Sequence, residues 1–216
     1  MPASTAKPYP ITLQNPRSPI SEAYRTLRTN IEYASVDAPV RTLLVTSAQP
    51  NEGKTTTVAN LAVVCAMEGK NVLIVDADLR KPTQHHIFMK SNRIGLSSYL
   101  AQRYTLQEAV TETDIDRLHI MTSGPLPPNP AELLASKRME PFLQEVSERY
   151  DIVLIDSPPV LAVTDALILA AKCDGVIAVL HAGKVKREHA RDMIKALEHV
   201  RARCLGVVLN NKQIRA

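Results

Sequence analysis

Val40-Arg41-Thr42-Leu43-Leu44-Val45-Thr46 runs, after Ser47, into Ala48-Gln49-Pro50-Asn51-Glu52-Gly53-Lys54-Thr55-Thr56. The first run is short, apolar and β-branched. Residues 54–68 carry Val58, Leu61, Ala62 and Cys65 on one face at helical spacing. A strand, a tight loop and a helix in that order are what a phosphate-binding loop requires. In such a loop the amides point inward at a β-phosphate and the helix start adds its positive end. Lys54 then reaches the β/γ oxygens, and the Thr55 hydroxyl holds Mg²⁺. The pattern G-x-x-x-x-G-K-[ST] is met except at its first position, where Ala48 adds one methyl group. Asn51 is among the few residue types that tolerate a left-handed backbone. Residues 48–56 are therefore the candidate nucleotide contacts. The plain alternative, a turn that merely contains Gly-Lys-Thr, leaves the flanking strand and helix without a reason.

Working outward, Asn71-Val72-Leu73-Ile74-Val75 leads into Asp76-Ala77-Asp78-Leu79-Arg80-Lys81-Pro82. Asp76 and Asp78 thus emerge at the carboxyl edge of a parallel strand, where ligands of open α/β sheets bind. Two carboxylates two residues apart, beside a triphosphate, serve a metal and a proton acceptor together. An isolated Asp-x-Asp would read as a solvated acidic turn, but the phosphate loop supplies this pair with a partner. Tyr150-Asp151-Ile152-Val153-Leu154-Ile155 ends in Asp156, the position from which a carboxylate orders metal-bound water. Lys54, Asp76 and Asp78 are the candidate catalytic residues; Thr55, Asp78 and Asp156 are the candidate metal ligands.

Further apolar runs at residues 118–122, 174–180 and 204–209 alternate with helical signals. A mostly parallel sheet with helices on both faces is the fold class that follows. The chain has 216 residues, 45% of them hydrophobic, enough for one large core. Residues 1–19 hold five prolines and no apolar period, and read as a flexible tail before a single domain over 20–216. Cys65, Cys173 and Cys204 stand among apolar neighbours without a Cys-x-x-Cys pair, as reduced core residues of a cytosolic protein do. No apolar run reaches the ~18 residues that span a bilayer. The net charge of +4 is mild and its basic stretch, from Lys184 onward, is interrupted by acids. That favours a solvated helix face over a nucleic-acid surface. His85-His86 reads as exposed loop.

Residues 18–210 resemble the cytoplasmic catalytic domain of the bacterial tyrosine kinases of capsular and exopolysaccharide synthesis, P-loop proteins related to partition ATPases. The resemblance rests on residues 21–31 (SEAYRTLRTNI), 50–56 (PNEGKTT), 75–82 (VDADLRKP), 123–134 (SGPLPPNPAELL) and 155–159 (IDSPP). It implies ATP and Mg²⁺ as cofactors and phosphoryl transfer to protein tyrosines. It also implies recruitment to the inner membrane face by a membrane-anchored activator. By the same resemblance Glu22, Arg25 and Arg28, on a helix that Ser18 caps and Pro19 opens, dock against the next subunit of a ring. Without it they are an exposed charged stripe with an i,i+3 ion pair. Family members usually end in a tyrosine-rich tail, whereas the last tyrosine here is Tyr150. The expected acceptors therefore lie outside residues 1–216. Asn210, at the end of the last strand, is expected to face the adenine, or else to be a strand-end turn residue. The alternative function is a partition-type ATPase that positions cargo. Such ATPases place a second lysine five positions before the loop lysine, and that position is Gln49.

Overall fold

The computed structural model describes residues 9–36 and 38–211. In chain order the elements are α1 (Ile11–Gln14), α2 (Pro19–Ala34), β1 (Thr42–Ser47), α3 (Lys54–Met67), β2 (Val72–Asp76), α4 (Gln84–Ile87), α5 (Leu96–Leu100), α6 (Leu106–Ala109), β3 (Thr111–Glu112), β4 (Leu118–Met121), α7 (Pro130–Leu134), α8 (Met139–Arg149), β5 (Ile152–Asp156), α9 (Asp165–Ala170), β6 (Gly175–His181), α10 (Arg187–His199) and β7 (Cys204–Asn210). One sheet runs β3-β4-β2-β5-β1-β6-β7. Its pairs are parallel except that β3 runs against β4. The six apolar runs account for six of these strands. Two exposed residues carry no pattern, so β3 is invisible in the sequence.

Successive side chains of a strand point to opposite faces, and each face has its own core. Leu43, Val45, Ile74 and Leu154 pack with α3 on one side. Leu44, Leu73, Val153 and Ile155 pack with Phe142 of α8, Leu169 of α9 and Met193 of α10 on the other. Strands β1, β2 and β5 are buried along their whole length. Double-sided burial is why they read as continuous apolar runs rather than alternating ones.

Helix α3 departs from the single buried face expected of it. It is buried on every side from Thr57 to Ala66, because α1 and α2 cover its outer surface. Ser18 caps α2, its hydroxyl accepting from the Ser21 N–H at 3.1 Å, with Pro19 in the first turn. The tail expected over residues 1–19 is shorter than its composition suggests. Thr12 is buried, and both its N–H and its hydroxyl donate to Asn60 Oδ1 at 3.0 Å. Local hydrogen bonding to α3 thus orders a proline-rich segment without apolar period; residues 1–8 lie outside the described ones. The cysteines also divide. Cys65 is in the core, where burial pushes its thiol up to about 12, but Cys204 is exposed on the edge strand β7. No helix of the described residues is long and apolar enough to cross a membrane.

Candidate active site

The phosphate loop leaves β1 and enters α3 through two left-handed residues, Asn51 at φ 63° and Gly53 at φ 97°. A Cβ on residue 53 would meet Asn210 Nδ2 at 1.9 Å, so backbone angle and space both demand glycine there. Ala48 is fully buried and does not line the cavity, so its methyl group stays out of the phosphate space. Glu52 folds back, its carboxylate accepting from the Gln49 N–H at 2.9 Å, while Pro50, Asn51 and Thr56 face outward. Asn210 reaches the loop from β7. Its Nδ2 donates to the Glu52 carbonyl at 2.9 Å and its Oδ1 accepts from the Asn211 N–H at 2.9 Å. The side chain expected to face adenine is thus a clamp between the last strand and the loop.

Parallel registration brings the two acidic motifs together. Asp76 at the end of β2 is the register partner of Asp156 at the end of β5, and Asp156 is also opposite Val45 of β1. Partners on neighbouring strands share a face, and this one is the face that α3 covers. Lys54, the first residue of α3, rests on the acids, with Nζ 3.3 Å from Asp78 Oδ2, 4.0 Å from Asp156 Oδ1 and 3.4 Å from Thr55 Oγ1. Asp76 Oδ2 accepts from the Thr83 and Gln84 N–H groups at 3.0 Å each. Burial, then the charge of Asp156, pushes Asp76 up to about 8 against the pull of those amides. Burial raises Asp156 too, partly offset by Lys54. Two buried carboxylates side by side cannot both ionise cheaply. The balance favours one proton on the pair near neutral pH in the nucleotide-free protein.

Above these groups opens a cavity of about 690 Å³ lined by Gly53, Lys54, Thr55, Asp78, Arg80 and Pro158, among others. The Arg80 guanidinium forks onto Asp165 of α9, with Nε and an Nη each 2.9 Å from a carboxylate oxygen. Asp165 is fully buried. Asp156 Oδ1 is buried with no hydrogen-bond donor, an acceptor suited to a water on a bound cation. Together with the Thr55 hydroxyl and Asp78 it forms an all-oxygen set of the kind Mg²⁺ takes. The other sequence candidates lie elsewhere. Arg25 bonds Glu22 at 2.8 Å and the Pro16 carbonyl at 2.8 Å. Arg28, 15% exposed, is engaged inside its own chain by Glu68. His85 and His86, their ring centroids 3.9 Å apart and tilted by 41°, lie in the single turn of α4 rather than in a loop. Among the described residues no cluster of metal-ligating side chains of the His/Cys/Asp/Glu type stands out. Sequence reading missed Gln84 and Asp165, since their partners are 29 to 85 positions away and no motif marks them.

Residues 41–214 match the AAA domain (AAA_31) family model. The chain is 48% identical over 204 residues to the tyrosine-protein kinase YwqD of Bacillus subtilis (strain 168), covering 94% of this chain and 86% of that protein. The crystal structure of the chimerical protein CapA2B2 superposes with a TM-score of 0.91 at 40% identity, covering 95% of this chain and 90% of that one. The septum site-determining protein MinD from Pyrococcus horikoshii OT3, complexed with Mg-ADP, is more distant at TM-score 0.67 and 25% identity, covering 78% and 69%. The positioning-ATPase alternative is therefore a relative in fold. A phosphate loop facing three strand-end and loop carboxylates, with identity sustained over nearly the whole length, places this chain in the family of bacterial tyrosine-protein kinases, enzymes built on a P-loop nucleotide-binding fold.

Proposed function

We propose that the phosphoryl donor is ATP with Mg²⁺ and that transfer takes place in the cavity over Lys54, Asp76, Asp78 and Asp156. The observation that carries this reading is the convergence of Lys54 on Asp78 and Asp156, with Asp76 in register beside them. Bound Mg²⁺–ATP supplies the phosphoryl group and screens its charge. The N–H groups of residues 51–56 would cradle the phosphates, and Lys54, now against the carboxylates, would reach the β/γ oxygens. The Thr55 hydroxyl, Asp78 and Asp156 would hold the cation. Asp78, on the cavity wall, would orient the tyrosine hydroxyl, and Asp76 behind it, ionised once Mg²⁺ offsets its charge, would accept the proton. The tyrosyl O–P bond forms as the bridging β–γ O–P bond breaks, and ADP leaves. We place the base on the β7 side of the loop, beside Asn210.

We place the acceptors outside residues 1–216, on a further segment of the protein or on other proteins. Tyr99 is 7% exposed and Tyr150 half-buried, which disfavours both, and the exposed Tyr33 and Tyr104 form no cluster. We place the enzyme in the cytoplasm, recruited to the membrane by an anchored modulator and acting in capsular or exopolysaccharide synthesis. It assembles there through α2, whose exposed Glu22 and half-buried Arg25 meet the next subunit of a ring. Nucleic acid has no part in this reading. Incubation with ATP and Mg²⁺, with and without a tyrosine-bearing substrate, followed by phosphosite mapping, tests the assignment. Absence of phosphotyrosine under every condition, modulator included, would refute it.

A further inference from the structure

Gln84 is a residue that no motif contains, yet it touches all three parts of the site. Its side chain is 0% exposed. Its Nε2 donates to the Thr55 carbonyl at 3.1 Å and to Asp156 Oδ2 at 2.9 Å. Its backbone N–H donates to Asp76 Oδ2 at 3.0 Å. The assignment of nitrogen and oxygen in this amide is chemically forced, since both neighbours of Nε2 are acceptors. One side chain therefore joins the first turn of α3 to the end of β5, and one backbone joins both to the end of β2.

Two acceptors in this assembly lack a hydrogen bond. Asp156 Oδ1 and Gln84 Oε1 are both buried without one, Lys54 Nζ approaching Oδ1 only to the 4.0 Å of an ion pair, although they belong to residues held together by a hydrogen bond. Buried acceptors are nearly always satisfied, and a glutamine serving only to knit the fold would have both ends used. Because Gln84 fills Oδ2, the other oxygen of Asp156 is the one left for a ligand. A hydrated divalent cation brings donors of the kind both orphan oxygens lack, namely the hydrogens of its bound water.

We infer that Gln84 is a positioning residue for the divalent cation, fixing the rotamer of Asp156 so that Oδ1 faces metal-bound water and tying that carboxylate to the Thr55 turn. This rests on the Mg²⁺–nucleotide reading above and adds to it a residue that acts through Asp156 without touching the phosphates. Partners of metal-ligating groups typically change metal affinity about 10- to 100-fold when removed. Such a shift, without loss of the phosphate cradle, is the signature that separates positioning from plain packing.

The test is equilibrium binding of a fluorescent ADP to the full chain as Mg²⁺ is titrated, with thermal melting followed in parallel. Gln84→Met keeps the length and removes the donor; Gln84→Glu puts a carboxylate against Asp156. Gln84→Met is expected to leave ADP binding without Mg²⁺ within about twofold of wild type and to raise the Mg²⁺ midpoint about 10-fold or more. Gln84→Glu should raise it further. In an Asp156→Asn background the Gln84→Met change should add little, because its effect passes through Asp156. A lowered melting temperature with an unmoved Mg²⁺ midpoint, or full additivity with Asp156→Asn, would overturn the inference. If Gln84→Met does not fold, the midpoint of Gln84→Glu decides in the same way. A wild-type chain that binds ADP with no response to Mg²⁺ would overturn the cofactor reading and this inference with it.

Discussion

Replacing Asp76 by Asn removes one of two carboxylates that face each other across β2 and β5. Neighbouring strands lie ~4.8 Å apart. Two unit charges at about 5 Å and an effective dielectric of about 20 repel by roughly 3 kcal/mol, or about two pK units, and burial adds to that. The wild-type pair thus keeps a proton to about pH 8, whereas an unfolded aspartate loses it near ~3.9. Within that window the native state binds more protons than the unfolded state, so stability is full at the acid end and falls as pH rises toward 8. The ceiling is about 6 kcal/mol, from ~1.4 kcal/mol per pK unit, and relaxation around the pair brings the expected loss near ~3 kcal/mol. Asn keeps an oxygen for the Thr83 and Gln84 amides but carries no titrating charge. Urea denaturation of the nucleotide-free protein at several pH values between 5 and 8.5 should show wild-type stability falling while Asp76→Asn stays flatter and is the more stable at pH 8. Mg²⁺ with ADP, which favours the ionised pair, should reduce the wild-type slope. Parallel curves for the two proteins would refute the buried proton.

Lys54→Met should remove phosphoryl transfer to tyrosine in a phosphosite assay while circular dichroism stays unchanged; retained activity would end the phosphate-loop assignment. Gly53→Ala forces a left-handed alanine into the Asn210 amide, so a loss of more than ~1 kcal/mol in stability should accompany weakened nucleotide binding in a fluorescence titration. Arg80→Ala strands the fully buried Asp165 and should cost about 3 kcal/mol in urea denaturation, more than Asp165→Asn, which leaves no buried charge. Replacing Glu22, Arg25 and Arg28 together by Ala should leave a monomer by light scattering. Among the single changes only Arg28→Ala, which breaks the contact to Glu68, should lower the melting temperature, by a few degrees.

Sequence alone determined the strand–loop–helix of residues 40–68, the six apolar strands and the acids at their ends, because these signals are local. A strand buried on both faces must be apolar throughout, and a loop that wraps phosphate must contain Gly-Lys-Thr just where a helix begins. The proline-rich count over residues 1–19 misled, since composition measures the lack of a helical or strand period and says nothing of one threonine meeting Asn60. The spread of burial around α3 was equally out of reach, because the cover comes from two helices earlier in the chain. What tertiary structure decided is which oxygen of each acid is spoken for. The register of β2 against β5 makes Asp76 and Asp156 neighbours 80 positions apart, Gln84 fills one oxygen of Asp156, and Asp165 holds Arg80 at the cavity wall. Those pairings join residues whose separation along the chain carries no period, so only the closing of the sheet brings them within hydrogen-bond reach.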